Sequence, residues 1–168
     1  QRLGHFTAAV RAAERAVAAF EDSGEIPARH AREGVDGGEN RSIPLEWTDP
    51  PEGTESFALL VLDTHPVARK WVHWMVVDIP PDVTELSEGA SPEGMPPGAI
   101  ELRNGWGEVG YGGPEPPAGT GGHFYLATLY ALDVSSLEIA DDADLRAFLN
   151  AIEGHELGQA RLEGSLGR

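Results

Sequence analysis

Three apolar runs of strand length limit what this chain can fold into more than any other feature. They cover residues 56–63, 71–79 and 125–134, and each is nearly continuous. Runs that are apolar at successive positions are typical of strands covered on both faces. We therefore predict a central sheet that contains these three strands. The loop over 80–110 is longer than an idle connection.

Helices are predicted on both sides of the strands. An amphipathic helix over 1–20 is indicated by apolar residues at spacings of three and four, and we expect it to pack on the domain or on a partner subunit. Its apolar stripe consists of Phe6, Val10, Ala13, Val17 and Phe20. A second apolar stripe predicts a C-terminal helix that Gly154 ends, followed by a shorter helix over 155–162. That second stripe consists of Leu145, Phe148, Leu149 and Ile152. This order favours one β-rich domain over 21–168 with helical flanks, rather than βαβ units.

Composition excludes several classes of protein. Among 168 residues, 28 are acidic and 12 basic, and a net charge of −16 argues against a surface that follows nucleic-acid phosphates. The chain has no cysteine, which excludes disulfides, thiolate catalysis and zinc–thiolate sites. No run of 18 apolar residues is present, so we expect no membrane span.

A loop rich in glycine and proline over 111–122 leads directly into the third apolar run. Such a loop forms a rigid rim, because proline fixes φ while glycine allows the backbone to approach a ligand closely. It delivers His123 and Tyr125 to the same face of a strand, where side chains alternate. The alternative is a plain connection, which is the commoner role of such loops.

Three titratable side chains lie at strand ends or beside this rim. Asp63 closes the first apolar run, His73 lies inside the second, and His123 lies two residues before the third. A histidine in an apolar strand needs partners when it is buried, and a satisfied core histidine is the simplest interpretation of His73. Together the three residues fit an anion site, a metal site with two histidines and one carboxylate, or a His–Asp acid/base pair.

The chain resembles the phosphatidylethanolamine-binding protein family, specifically its bacterial and archaeal branch, which is called Raf-kinase-inhibitor-like. The resemblance runs from about Phe20 onward and depends on several motifs in the family's order. These motifs are Ile26-Pro27, Ser42-Ile43-Pro44-Leu45-Glu46-Trp47, Pro51-Glu52-Gly53-Thr54-Glu55-Ser56, Asp63 with Pro66, Trp71-Val72-His73-Trp74, Gly112-Gly113-Pro114-Glu115-Pro116-Pro117, His123-Phe124-Tyr125 and Ala151-Ile152-Glu153-Gly154-His155.

The resemblance implies a fold that is mainly β: a large central antiparallel sheet packed on a smaller sheet, with peripheral and C-terminal helices. It implies a small pocket for phosphate, phosphorylated head groups or acetate-like anions, without a metal or another cofactor. The anion-binding residues carried over are Asp63, His73, His123, Tyr125, Glu115 and Pro117. The pocket walls carried over are Pro66, Trp71 and Pro114. A homodimer is also implied.

The sequence departs from the family pattern around this pocket. The family's Asp-Pro-Asp-x-Pro reads Asp63-Thr64-His65-Pro66, and its His-Arg-Tyr reads His123-Phe124-Tyr125. Family members can pair the second Asp of the first motif with the Arg of the second, and this chain lacks both. Losing both charges costs less than losing one, because neither is left unpaired. Glu115 stands where Cys or Gly is frequent, and an inward-facing carboxylate would repel anions.

We interpret the chain as an anion-binding protein rather than an enzyme, since no Ser, Cys or Thr nucleophile stands in a motif. Two alternatives are a kinase- or peptidase-inhibitor-like protein that acts on a protein partner through its surface, and a His/Asp hydrolase. A cytoplasmic location is expected, with an extracytoplasmic one as the alternative. His65, near Asp63, is expected on the pocket rim, and Trp106 is expected to be a packing residue.

Overall fold

Six strands form the main sheet in the computed structural model, which describes residues 22–167. In chain order the strands of the whole fold are β1 Gly24–Glu25, β2 Leu45–Glu46, β3 Ser56–Asp63, β4 Val72–Ile79, β5 Glu85–Leu86, β6 Ile100–Glu101, β7 Gly122–Leu132 and β8 Glu156–Gly167. The main sheet has the order β1-β8-β7-β3-β4-β6, and β2 and β5 form a separate antiparallel pair. β1 runs parallel to β8 whereas the other neighbours are antiparallel, so the main sheet is mixed rather than wholly antiparallel.

The three predicted central strands are confirmed as β3, β4 and β7, and both faces of the sheet they form are covered. Alternate residues of β3 enter two different apolar clusters: Phe57 and Leu59 pack on one face, and Ala58 and Leu60 on the other. The first cluster includes Leu45 and Leu86 of the small sheet, and the second includes Phe148. This explains why the strands are apolar at successive positions.

The predicted C-terminal helix is confirmed as α1, Leu145–Ile152. Asp144 caps it, because its carboxylate accepts a hydrogen bond of 2.8 Å from the Ala147 N–H. Phe148 and Ile152 are buried against the sheet. Gly154 follows the helix with φ of +86°, a left-handed conformation that glycine adopts without strain.

The second helix expected over 155–162 is wrong: residues 156–162 belong to strand β8. Its buried positions alternate along the chain, which is the period of a strand and not of a helix. The buried residues are Gly158, Ala160, Leu162, Gly164 and Leu166. Two of them are glycines, which add nothing to an apolar pattern. The resemblance implied C-terminal helices, whereas the structure has one α-helix within residues 22–167.

The amphipathic helix predicted over 1–20 lies outside the described residues. From Asp22 the chain runs beside β8, where the Asp22 carboxylate accepts a hydrogen bond from the Glu163 N–H. Within residues 22–167, no helix has the length and apolar character needed to cross a membrane.

Candidate functional site

Strand register brings the predicted site residues to one edge of the main sheet. In the β3–β7 pair, Asp63 lies opposite Tyr125, two residues after His123. In the β3–β4 pair, Leu62 lies opposite Val72, so His73 is close to the same edge. Three neighbouring antiparallel strands thus place one carboxylate and two imidazoles together, although they are far apart in the sequence.

Asp63 and His123 form a buried pair. The His123 Nδ1–H donates to Asp63 Oδ2 over 2.6 Å, and the two side chains are 0% and 6% exposed for His123 and Asp63 respectively. The other carboxylate oxygen accepts a 2.8 Å hydrogen bond from the His65 N–H. Both oxygens of Asp63 therefore have partners within the protein, and the carboxylate orients His123.

Thr120 contacts the other ring nitrogen of His123, a contact that sequence analysis missed. Thr120 Oγ1 lies 2.8 Å from His123 Nε2 and donates to the Pro117 carbonyl over 2.7 Å. A threonine hydroxyl has one hydrogen, and Pro117 receives it, so His123 Nε2 must supply the hydrogen of the other bond. His123 then donates through both ring nitrogens.

His73 has one satisfied and one unsatisfied ring nitrogen. Its Nδ1–H donates to the Gly112 carbonyl over 2.6 Å, whereas Nε2 is buried and has no hydrogen-bond partner among the described residues. Burial lowers the pKa of His73 to about 4, in spite of the opposing effect of the Gly112 hydrogen bond. His73 is therefore neutral at pH 7, and Nε2 carries a lone pair.

These residues line a cavity of about 280 Å³. Of the residues predicted for the site, six line it: Asp63, Trp71, His73, Glu115, Pro117 and His123. The others in its lining are Val67, Ala68, Trp106 and Pro116. The walls are mostly apolar, so polar atoms of a ligand find partners at only a few points.

Three predicted residues lie elsewhere. Tyr125 and Pro114 line a second cavity of about 10 Å³, which also contacts His73. The Tyr125 hydroxyl is buried without a partner among the described residues, and burial, with the nearby Asp63 charge, raises its pKa. Pro66 is exposed at the start of the 3-10 turn Pro66–Ala68. The other two residues of this turn, Val67 and Ala68, line the main cavity.

Trp106 was expected to be a packing residue, but it also lines the cavity. Its ring lies 5.3 Å from that of His73 and 5.3 Å from that of Trp71, both in edge contacts. The sequence offers only a weak indication that Trp106 belongs to the site: it stands between two glycines in the loop after β6. Gly105 leaves room for the indole of Trp71, and this explains why a tryptophan pair can form the wall.

The charge of Glu115 is offset by an arginine. Its carboxylate lies 3.6 Å from Arg32 Nε, and Gly34 leaves room for it on that side. Arg32 also binds Glu108 at 2.8 Å and lies over the Trp106 ring. Neither Arg32 nor Gly34 lines the main cavity. Glu115 lines the cavity, and Arg32 therefore partly offsets its negative charge there.

His65 stacks on the ring of His123, with centroids 4.0 Å apart, and its Nδ1 accepts a hydrogen bond from the Val67 N–H. His65 does not line the cavity.

Within residues 22–167, no group of three or more His, Cys, Asp or Glu side chains is arranged to hold a metal ion. The alternative of a metal site with two histidines and one carboxylate therefore lacks a suitable set of ligands in the described part.

Comparisons with known proteins cover nearly the whole chain. A family model described as phosphatidylethanolamine-binding protein matches residues 16–167. A UPF0098 protein of Methanothermobacter thermautotrophicus is 41% identical over 147 residues, which are 87% of this chain and 93% of that protein. YbhB of Escherichia coli is 33% identical over 145 residues, 84% of this chain and 91% of YbhB.

The fold also matches a solved structure. The crystal structure of E. coli YbcL, described as a new member of the mammalian PEBP family, superposes with a TM-score of 0.85 at 29% sequence identity. The match covers 96% of this chain and 98% of that one. The large sheet and the small one are therefore shared by both proteins.

Proposed function

Because the chain belongs to the phosphatidylethanolamine-binding protein family, as its motifs predicted, we propose that the cavity beside Asp63 and His123 binds a small oxyanion. The ligand is phosphate, a phosphorylated head group or a carboxylate. The observation that carries this proposal is the buried Asp63–His123 pair next to His73, whose Nε2 has no partner among the described residues.

Several physical features support an oxyanion as the ligand. A buried polar atom without a hydrogen bond is costly, and an O–H group of a ligand that donates to His73 Nε2 would relieve that cost. His123 donates through both ring nitrogens in a site with apolar walls, where hydrogen bonds are stronger than in water. The cavity of about 280 Å³ is near the small end of ligand pockets. The net charge of −16 opposes an anion only over about 8 Å at physiological salt.

We propose that binding occurs without hydrolysis. Thr120, His123 and Asp63 have the spacing of a hydroxyl–histidine–carboxylate relay. Two details oppose catalysis: the Thr120 hydroxyl donates to Pro117, and a doubly protonated His123 has no lone pair to accept a proton. We expect the protein to hydrolyse p-nitrophenyl acetate no faster than its Thr120→Val variant. A rate that falls at least tenfold in that variant would contradict binding without turnover.

The homodimer and a protein partner stay predictions from the family resemblance, and a cytoplasmic location, with an extracytoplasmic one as the alternative, stays an expectation from the sequence. The described residues offer no specific contact that favours one protein partner, and we assign the function to the cavity.

Calorimetric titration with phosphate and phosphoethanolamine tests the proposal. We expect saturable binding that weakens at least about tenfold in His73→Ala and His123→Ala, because each loses a ligand contact. His155→Ala is the matched control: His155 pairs with Asp133 at 2.8 Å, as His123 does with Asp63, but on the exposed surface. No binding at about 10 mM ligand, or equal weakening in all three variants, would overturn the proposal.

A further inference from the structure

The polar atoms around the cavity are of two kinds, and this difference has consequences for the ligand. His123 Nε2 carries a hydrogen that it donates to Thr120, whereas His73 Nε2 carries a lone pair. A ligand that satisfies both atoms needs an oxygen that accepts a hydrogen bond and an O–H group that donates one.

We propose that the pocket selects oxyanions that carry an acidic O–H hydrogen over oxyanions of similar size that carry none. Hydrogen phosphate and singly protonated phosphate monoesters belong to the first class. Sulfate and phosphate diesters belong to the second. This inference rests on the proposed function and specifies the chemical class of the ligand.

The tautomer of His73 follows from geometry. The Gly112 carbonyl can only accept a hydrogen bond, and Nδ1 lies 2.6 Å from it, so the ring hydrogen is on Nδ1. The side chain is buried, with 2% of the residue exposed. Nε2 is then the remaining polar atom of the ring, in a residue that lines the cavity, and in the neutral ring it is an acceptor.

The groups around His73 do not charge it at neutral pH. Asp63 favours the charged form through its carboxylate, and the carbonyls of Gly112 and Gly113 act in the same direction. Arg32 opposes them, and the rings of Tyr125 and Trp106 contact the imidazole through edge contacts. Burial outweighs the favourable groups, so the pKa stays near 4. His123, whose two ring nitrogens both have partners, lines the same cavity.

A deprotonated oxyanion therefore meets a lone pair at His73. Either the two lone pairs face each other, which is unfavourable, or His73 takes up a proton, which burial opposes. An O–H group of the ligand donates to Nε2 and avoids both costs. Phosphate retains such a hydrogen at neutral pH, and sulfate does not.

The experiment is calorimetric titration of the unmodified protein at pH 7.5 with four probes: orthophosphate, sulfate, methyl phosphate and dimethyl phosphate. We expect orthophosphate to bind at least about tenfold more tightly than sulfate and dimethyl phosphate, since one buried hydrogen bond is gained rather than lost. Methyl phosphate is expected to bind with uptake of one proton, seen as a binding enthalpy that depends on the buffer.

The phosphate-to-sulfate ratio is expected to shrink as the pH falls from 7.5 to 5, because protonation of His73 then costs less. Equal affinities for phosphate and sulfate at pH 7.5 would overturn the selectivity and leave the proposed function standing. Absence of binding by every probe would overturn the proposed function and this inference with it.

Two further readouts do not depend on the same comparison. Nitrogen-15 NMR of the histidine rings at pH 7 should show His73 protonated on Nδ1 and unprotonated on Nε2, and a doubly protonated His73 would overturn the inference. The variant His73→Leu removes the lone pair and adds no hydrogen-bonding group. We expect its phosphate-to-sulfate ratio to fall toward one, and an unchanged ratio would contradict the role of Nε2. His155→Leu, on the exposed pair, should keep the ratio of the unmodified protein.

Discussion

The indole of Trp71 occupies the space that a side chain at Gly105 would need: a Cβ built on Gly105 would lie 2.4 Å from Trp71 Cε2. Trp71 is 39% exposed and forms a wall of the cavity, so a glycine in a distant loop sets the position of that wall. The backbone of Gly105 is also tied to β4, because its N–H donates to the Val72 carbonyl over 2.8 Å. The loop and the strand cannot move independently there.

The first prediction concerns this contact. Gly105→Ala should displace the indole and destabilise the protein by about 1–3 kcal/mol, the usual cost of overpacking. Urea unfolding measures that change, and titration with phosphate should show weaker binding because the wall has moved. Gly122→Ala is the control, since a Cβ at Gly122 meets nothing within 4 Å. Equal stability of the two variants would show that the indole adjusts without cost.

The second prediction concerns the Asp63–His123 pair. Asp63→Asn leaves a buried His123 without its charged partner, and we expect the free energy of unfolding to fall by about 3–5 kcal/mol. Denaturant titration at pH 7 provides the measurement. The same change at Asp133, which pairs with His155 on the surface, should cost less than about 1 kcal/mol. Similar losses in the two variants would mean that burial of the pair has little effect on stability.

The third prediction concerns stability and pH. The pKa of His73 is about 4 in the folded protein, below its ordinary value of 6.5, so the unfolded chain binds the additional proton between these values. The stabilisation is complete above about pH 6.5 and is lost as the pH falls toward 4. Burial lowers the pKa of His30 as well, which acts in the same direction.

Comparing the pH dependence of stability between the unmodified protein and His73→Gln isolates the effect of His73. Between pH 7 and pH 5, the unmodified protein should lose about 2 kcal/mol more stability than His73→Gln, which has no group that titrates at this position. Urea unfolding at pH 7, 6 and 5 gives both curves. Parallel curves would show that position 73 binds no additional proton on unfolding.

The fourth prediction concerns Thr120. Thr120→Val removes the hydroxyl that contacts His123 Nε2, so that a ligand oxygen no longer competes with it. We expect phosphate to bind about 3- to 10-fold more tightly, because it then does not have to displace the Thr120 hydroxyl from His123 Nε2. Thr120→Ser keeps the hydroxyl and should bind as the unmodified protein does. Weaker binding by the valine variant would indicate that Thr120 supports the bound state.

The sequence was sufficient to predict β3, β4 and β7, because burial on both faces leaves continuous apolar runs. It was also sufficient to place Asp63 and His123 together, since one ends an apolar run and the other lies two residues before one, and antiparallel pairing joins those ends. β8 was mistaken for a helix because two of its buried positions are glycines, which contribute no apolar signal.

The finer features of the site depend on how loops close. Thr120 reaches His123 only because the loop after Pro117 turns back on itself. The acceptor role of His73 depends on a backbone carbonyl that is 39 residues away in the chain. Such contacts are set by three-dimensional packing and leave no periodic pattern in the sequence.

The position of β8 in the sheet has a consequence for folding. Among the described strands β8 is the last in chain order, yet it lies between β1 and β7. Until β8 pairs with it, the long strand β7 presents an unpaired edge, and unpaired edges are prone to associate with other chains. The strand that carries His123 therefore gains its second neighbour only after residues 156–167 have been made.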